Sequence, residues 1–224
     1  RPKVGRVPYG VEIEECTSKG KVALTFDDGP AEFTNDLLDT LKENGVMATF
    51  FITGANGDNG EIQDHWGDVI QRMHKDWHHI ASHGWSHRDM DGLSSDEREE
   101  EVFENEKALA EILGSFPTYF RPPYGTCASE CLHDLGRLGY HVVMWNLDTE
   151  DWKGDYDHAR SFYETCLGEE GPDSKSWISL AHDPQPETVK SFAQYMIDVA
   201  NKYGYELVTL GECLEDPRHN WYRN

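Results

Sequence analysis

Two short stretches carry residue types that could do chemistry together. "TFDDGP" sets Asp27 and Asp28 side by side before a Gly-Pro turn, and "ASHGWSHRDM" sets His83 and His87 four residues apart. Two imidazoles at that spacing can meet one divalent ion, yet the glutamate that follows the first histidine in the helical zinc motif is missing. Catalytic zinc takes three protein ligands from histidine and carboxylate and keeps one position for water, so one aspartate of the pair would complete the set. The neighbouring aspartate is then free to act as a base. A lone "DDG" is ordinarily a turn with a helix cap, so the case rests on whether further polar residues converge there.

The elements that must position these residues can be read from periodicity. Apolar, β-branched and aromatic runs at 21–27, 47–53, 78–82, 118–122, 141–147, 177–181 and 205–210 predict seven strands. Between them lie segments with helical spacing. In "EFTNDLLDTLKENG", Phe33, Leu37, Leu38 and Leu41 share one face and Gly45 follows as a stop; "SSDEREEEVFENEKALAEILG" is capped by Ser94 or Ser95. The acidic run Asp96 to Glu101 reads as a solvated first turn favoured by the helix dipole. Strands alternating with helices predict a parallel α/β sheet or barrel. No long linker or repeat interrupts the pattern, so a single domain over 1–224 is expected, with its motif-bearing core at about 20–210.

In such folds the chemistry lies beyond the carboxyl ends of the strands. Asp27 and Asp28 end the first predicted strand, His83 and His87 follow the third, and Arg121 and Tyr124 follow the fourth. Asp148 and Asp151 follow the fifth, and His182 and Asp183 the sixth. Five strand ends therefore bring ionisable groups to one rim, which favours an active site over a scatter of turns. His78 and His79 begin the strand that ends near His83, so they are expected at its opposite end and outside any metal site.

The balance of 20 basic against 42 acidic side chains, a net charge of -22, opposes binding to nucleic acid or anionic membrane. No apolar run approaches the ~20 residues of a spanning helix, and "RPKVGRVPYG" lacks the apolar stretch of a signal peptide, so a soluble, already processed chain is expected. Five cysteines leave at least one unpaired, and composition does not choose the pairing. Cys127 and Cys131 are close enough to bridge a local loop. Cys16 and Cys213 lie near opposite ends, a placement that suits stapling of a secreted enzyme, with buried free thiols in a cytosolic protein as the alternative.

"TFDDGP", "SHGWSH", "RPPYG", "LDTEDW" and "ISLAHD", in this order on successive strand ends, resemble the five motifs of the polysaccharide deacetylases, carbohydrate esterase family four, which share the NodB-homology domain. The segments "RPPYGTCASEC", "NLDTEDW" and the ending "GECLED...NWY" look most like secreted fungal chitin deacetylases. The resemblance implies a distorted (β/α) barrel of about seven parallel strands and hydrolytic de-N-acetylation of chitin or its oligomers. It implies Asp27 as general base, Asp28, His83 and His87 as ligands of Zn2+ or another divalent ion such as Co2+, and His182 as general acid. Asp151 would support the acid, with Asp148 able to share that role, and Arg121 would steady the base. The backbone N–H of Tyr124 would face the oxyanion, while Trp152 and Leu180 would wall the acetyl pocket. The implied disulfides are Cys16–Cys213 and Cys127–Cys131, with Cys166 free; a secreted monomer acting on chitin oligosaccharide is expected.

One departure from the family pattern stands out: Gly84 follows the first histidine where members commonly carry Ser or Thr. Other readings are the same mechanism on acetylated xylan or peptidoglycan, a catalytically silent chitin-binding protein, and a glycosidase using Asp27 and Asp151. The last leaves the histidine pair unexplained.

Overall fold

The strand β2 (Lys21–Asp27) shows how the fold is built. Its side chains alternate between two faces. In the computed structural model, which describes residues 1–224, Val22, Leu24 and Phe26 point outward into the larger core, while Ala23, Thr25 and Asp27 point inward. The outer core is completed by helices, among them α1 (Thr34–Glu43), which buries Leu37, Leu38 and Leu41 as its spacing predicts. The inner cluster gathers Ala23, Phe51, Ala81, Tyr119, Val143 and Ile178.

The remaining strands of the sheet are β1 (Glu12–Ile13), β3 (Thr49–Ile52), β4 (His79–Ser82), β6 (Tyr119–Phe120), β7 (His141–Val143), β8 (Leu147–Asp148), β9 (Trp177–His182) and β10 (Glu206–Val208). A short pair, β5 (Phe116–Pro117) with β11 (Tyr222–Arg223), lies apart. The helices after α1 are α2 (Ile62–His65), α3 (Gly67–Lys75), α4 (Ser95–Leu113), α5 (Ser129–Leu138), α6 (Tyr156–Glu170), α7 (Ala193–Tyr203) and α8 (Leu210–Cys213). The sheet order is β1-β7-β6-β4-β3-β2-β9-β8, with β10 alongside the start of β2, and its strands pair in parallel. This is the parallel, curled (β/α) architecture expected.

The run 141–147, read as one strand, is two. β7 pairs near one end of the sheet and β8 forms the other end. Between them the Met144 N–H donates to Ile13 O of β1 (2.9 Å), and the Asn146 N–H donates to Ile178 O of β9 (3.2 Å). These neighbouring residues thus bond to strands near opposite ends of the sheet order. Hydrophobic alternation reports burial, not partner, so a strand that changes neighbours in mid-run is invisible to it.

α4 carries a capping box: Ser94 Oγ accepts from the Glu97 N–H while the Glu97 carboxylate accepts from the Ser94 N–H. Such a cap contributes ~1 kcal/mol. The acidic run corrects one expectation. Asp96 and Glu100 are exposed, but Glu101 is buried together with Arg98, Val102 and Asn105. The inward stripe of this helix is largely polar because it faces backbone and loop, not only core. Disulfides join Cys16 to Cys213 and Cys127 to Cys131, leaving Cys166 free and half-buried.

Candidate active site

Register sets the site. β2 and β9 pair so that Asp27 lies opposite His182 and Thr25 opposite Leu180. Inward-facing Asp27 is buried, and its Oδ1 accepts a hydrogen bond from Arg121 Nη1 at 2.8 Å. Arg121 is itself fully buried and donates further to Thr25 Oγ1 (2.6 Å), Val143 O (3.2 Å) and Met144 O (2.8 Å), with Phe51 under its guanidinium. A buried carboxylate is tolerable only with such a partner, and the partner's remaining donors are satisfied by the barrel wall.

Asp28 has a left-handed φ of 75°, which breaks the strand alternation and brings its carboxylate to the same rim as Asp27. Glycine is needed next: a Cβ on Gly29 would fall 2.0 Å from the buried Asp183 carboxylate, which accepts from the Thr34 hydroxyl. Burial raises the Asp183 carboxyl to about 7. The turn brings Asp28 Oδ1 to 3.0 Å from His87 Nε2 and 3.4 Å from His83 Nε2. Burial alone would raise the Asp28 carboxyl, but the two imidazoles hold it well below the usual range. His83 Nδ1 lies 2.6 Å from the Arg121 carbonyl, which can only accept, so Nδ1 carries the proton and Nε2 offers a lone pair.

One ligand atom from each of Asp28, His83 and His87 lies within 4.8 Å of the others. Asp28 Oδ1 is buried yet makes no aligned hydrogen bond, even to the nearby His87. A carboxylate oxygen and two imidazole nitrogens converging without such bonds fit a shared divalent cation. Asp27 Oδ2 stands 3.8 Å from His83 Nε2, beside the triad without completing it.

Across the pocket His182 Nδ1 donates to Asp151 Oδ1 at 2.7 Å. Asp151 Oδ2 accepts the His182 backbone N–H (2.8 Å) and the Thr188 hydroxyl (2.6 Å). Burial alone would lower the imidazole, but the Asp151 hydrogen bond and charge, with Asp27 and Asp28 beyond, push it up to about 9. Asp148 does not share this contact; its Oδ1 accepts from the Glu150 N–H (2.9 Å), and burial raises its carboxyl.

A cavity of about 380 Å³ joins these groups, a size that suits a small-molecule or sugar-unit ligand. Of the residues singled out in the sequence, Asp27, Asp28, His83, His87, Tyr124, Trp152, Leu180 and His182 line it. Arg121 and Asp151 lie behind, one holding Asp27 and the other His182. Leu180 is buried in the wall, whereas Tyr124 and Trp152 are 66% and 55% exposed at the mouth. Tyr124 has φ 62°, and its backbone N–H bonds to no protein acceptor.

Trp145, Asp148 and Gln185 also line the cavity, of which Trp145 and Gln185 had drawn no notice in the sequence. The other missed residue is Glu101, whose carboxylate accepts from the Trp85 and Ser86 N–H groups inside the His83–His87 loop. Nothing in an exposed-looking acidic run signals this. His78 and His79 lie buried away from the cavity, His78 accepting from the Ala48 N–H and His79 stacked on Trp221.

The sequence model for polysaccharide deacetylases matches residues 14–143. A chitin deacetylase of Colletotrichum lindemuthianum is 44% identical over 97% of this chain and 89% of its own length. One from Pestalotiopsis sp is 41% identical over 97% of this chain and 72% of its own. The solved structure of the Colletotrichum lindemuthianum chitin deacetylase superposes with a TM-score of 0.93 at 41% identity, covering 97% of each chain. The chain belongs to the polysaccharide deacetylase family.

Proposed function

We propose that this chain is a hydrolase that removes acetyl groups from N-acetylglucosamine units of chitin or chitin oligomers, giving free amine and acetate. One observation carries the reading. Asp27 and His182, two groups able to move protons, flank an Asp-His-His triad within a single sugar-sized cavity. The chitin deacetylases at 44% and 41% identity support chitin as the substrate class.

Asp28, His83 and His87 would hold the divalent cation, zinc first and cobalt as the alternative. When bound there, such an ion polarises an amide carbonyl and makes water more acidic. Asp27, fixed by Arg121, takes a proton from the attacking water as oxygen bonds to the acetyl carbon. The unpartnered N–H of Tyr124 donates to the oxyanion that develops. His182, kept protonated by Asp151, gives its Nε2 proton to the nitrogen as the C–N bond breaks; amine and acetic acid leave, the acid ionises to acetate, and loss of the Asp27 proton with reprotonation of His182 from solvent restores the site. Leu180 closes the acetyl pocket, and the exposed indole of Trp152 offers a face to a sugar ring.

Two disulfides suit an oxidising compartment, and no helix is long and apolar enough to cross a membrane, which supports a secreted enzyme. Acetate release by zinc- or cobalt-loaded protein from chitin oligomers, acetylated xylan and peptidoglycan tests the reading. Release from chitin oligomers is expected to be fastest; none from any of the three would overturn it.

A further inference from the structure

Glu101 stands on α4, outside the five motifs, yet its carboxylate is directed at the second of them. Oε2 accepts the N–H groups of Trp85 (3.1 Å) and Ser86 (2.8 Å), and Oε1 accepts the Ser86 hydroxyl. The residue is only 5% exposed. A buried carboxylate is costly unless its lone pairs are filled, so loop and carboxylate hold each other in one arrangement. One turn further along the same face, Asn105 Nδ2 donates to Ile52 O and Ser82 Oγ, both at 2.9 Å. α4 thus grips the strand end from which His83 departs as well as the loop that leads to His87.

This support falls where the chain is locally free. Gly84 sits at φ 83°, and a Cβ there would lie 3.6 Å from Glu101 Oε2 and 3.8 Å from Phe120. The Ser or Thr of the family pattern would therefore direct its hydroxyl toward the same carboxylate. In this chain Glu101 is served instead by the next two residues. His87 itself has φ 57°, a conformation that its surroundings must impose.

We propose that Glu101 is a positioning residue that fixes His87 relative to His83 and thereby sets the cation affinity of the triad. This rests on the divalent-cation reading above. Contacts that orient metal ligands are worth about 10- to 100-fold in affinity. Glu101→Gln preserves the pattern, because its amide oxygen can accept both backbone N–H groups while its NH2 donates to Ser86 Oγ. Glu101→Ala removes all three bonds.

The test is zinc affinity by chelator competition, with the visible spectrum of the cobalt-loaded protein and the melting temperature of the metal-free protein measured alongside. Glu101→Ala is expected to weaken zinc binding about 10- to 100-fold and to alter the cobalt spectrum, whereas Glu101→Gln stays within about threefold. Ser86→Ala, which keeps the fold even if the first variant does not, is expected to weaken zinc about fivefold. A lower melting temperature with wild-type zinc affinity and cobalt spectrum, in Glu101→Ala or in Ser86→Ala, would overturn the proposal. His87→Ala separates the two ideas: if it binds zinc as tightly as wild type, the cation reading itself fails.

Discussion

Replacing Asp151 with Asn removes one charge and leaves the cavity lining intact, which makes it a sharp probe of the proton on His182. Asp151 is fully buried and accepts three hydrogen bonds, two of them from His182. His182 stands at about 9 with this partner, against an ordinary 6.5, a preference for the imidazolium of roughly 3 kcal/mol. Without the Asp151 charge, burial opposes only the more distant Asp27 and Asp28 and draws the imidazole back toward its ordinary 6.5. A general acid works only while protonated, so activity is lost as pH rises through the folded value. At about pH 8.5 the wild type retains roughly three quarters of its imidazolium and a variant returned to 6.5 about 1%, whereas at about pH 5.5 both are largely protonated. The kcat/KM for acetate release should therefore show a defect that widens by up to almost two decades between these values, with the alkaline limb falling from near 9 toward 6.5. The same pair stabilises the fold fully below pH 6.5, a contribution lost as pH rises through about 9, so thermal unfolding should converge between variants at high pH. Parallel pH–rate profiles with an unmoved alkaline limb would refute the assignment of His182 as the acid tuned by Asp151.

Three further outcomes follow from the packing. Arg121→Met leaves the Asp27 carboxylate buried without its cation, and denaturant unfolding should show a loss of about 3–5 kcal/mol. Removing the Cys16–Cys213 disulfide, which closes a span of 197 residues, should cost about 2–5 kcal/mol in the same measurement while acetate release at low temperature persists. Gly84→Ala should lose about 1–2 kcal/mol to its left-handed φ, and Gly84→Ser should recover part of that through a hydroxyl bond to Glu101, read as a higher melting temperature than the alanine variant.

Much of this arrangement was legible because chemistry-bearing residues follow strands whose period is plain. Once the runs at 21–27, 78–82 and 177–181 are read as parallel strands, Asp27, His83 and His182 must gather at one rim. Three things were hidden. The division of 141–147 into β7 and β8 depends on where the sheet curls back on itself, which no local pattern encodes. Glu101 looks like its exposed neighbours because its burial is decided by a loop fifteen residues earlier, through bonds to backbone that carry no sequence signature. The choice between Asp148 and Asp151 turned on three residues of strand-end geometry, and only the latter reaches His182. The oddity of Gly84 acquires a physical reason, since its φ of 83° suits glycine better than the Ser or Thr of the family pattern.

The proposed reaction is hydrolysis of the acetamide of a chitin unit with Asp27 as the base. It is tested most directly by incubating one defined chitin oligomer with zinc-loaded protein in heavy-oxygen water and weighing the products by mass spectrometry. Oligomers of unchanged length that lose acetyl groups, acetate carrying one heavy oxygen, and no turnover by Asp27→Asn although zinc stays bound are the expected products and outcome. Shortened oligomers with their acetyl groups intact, or bound oligomer left unchanged by the loaded wild type, would contradict it.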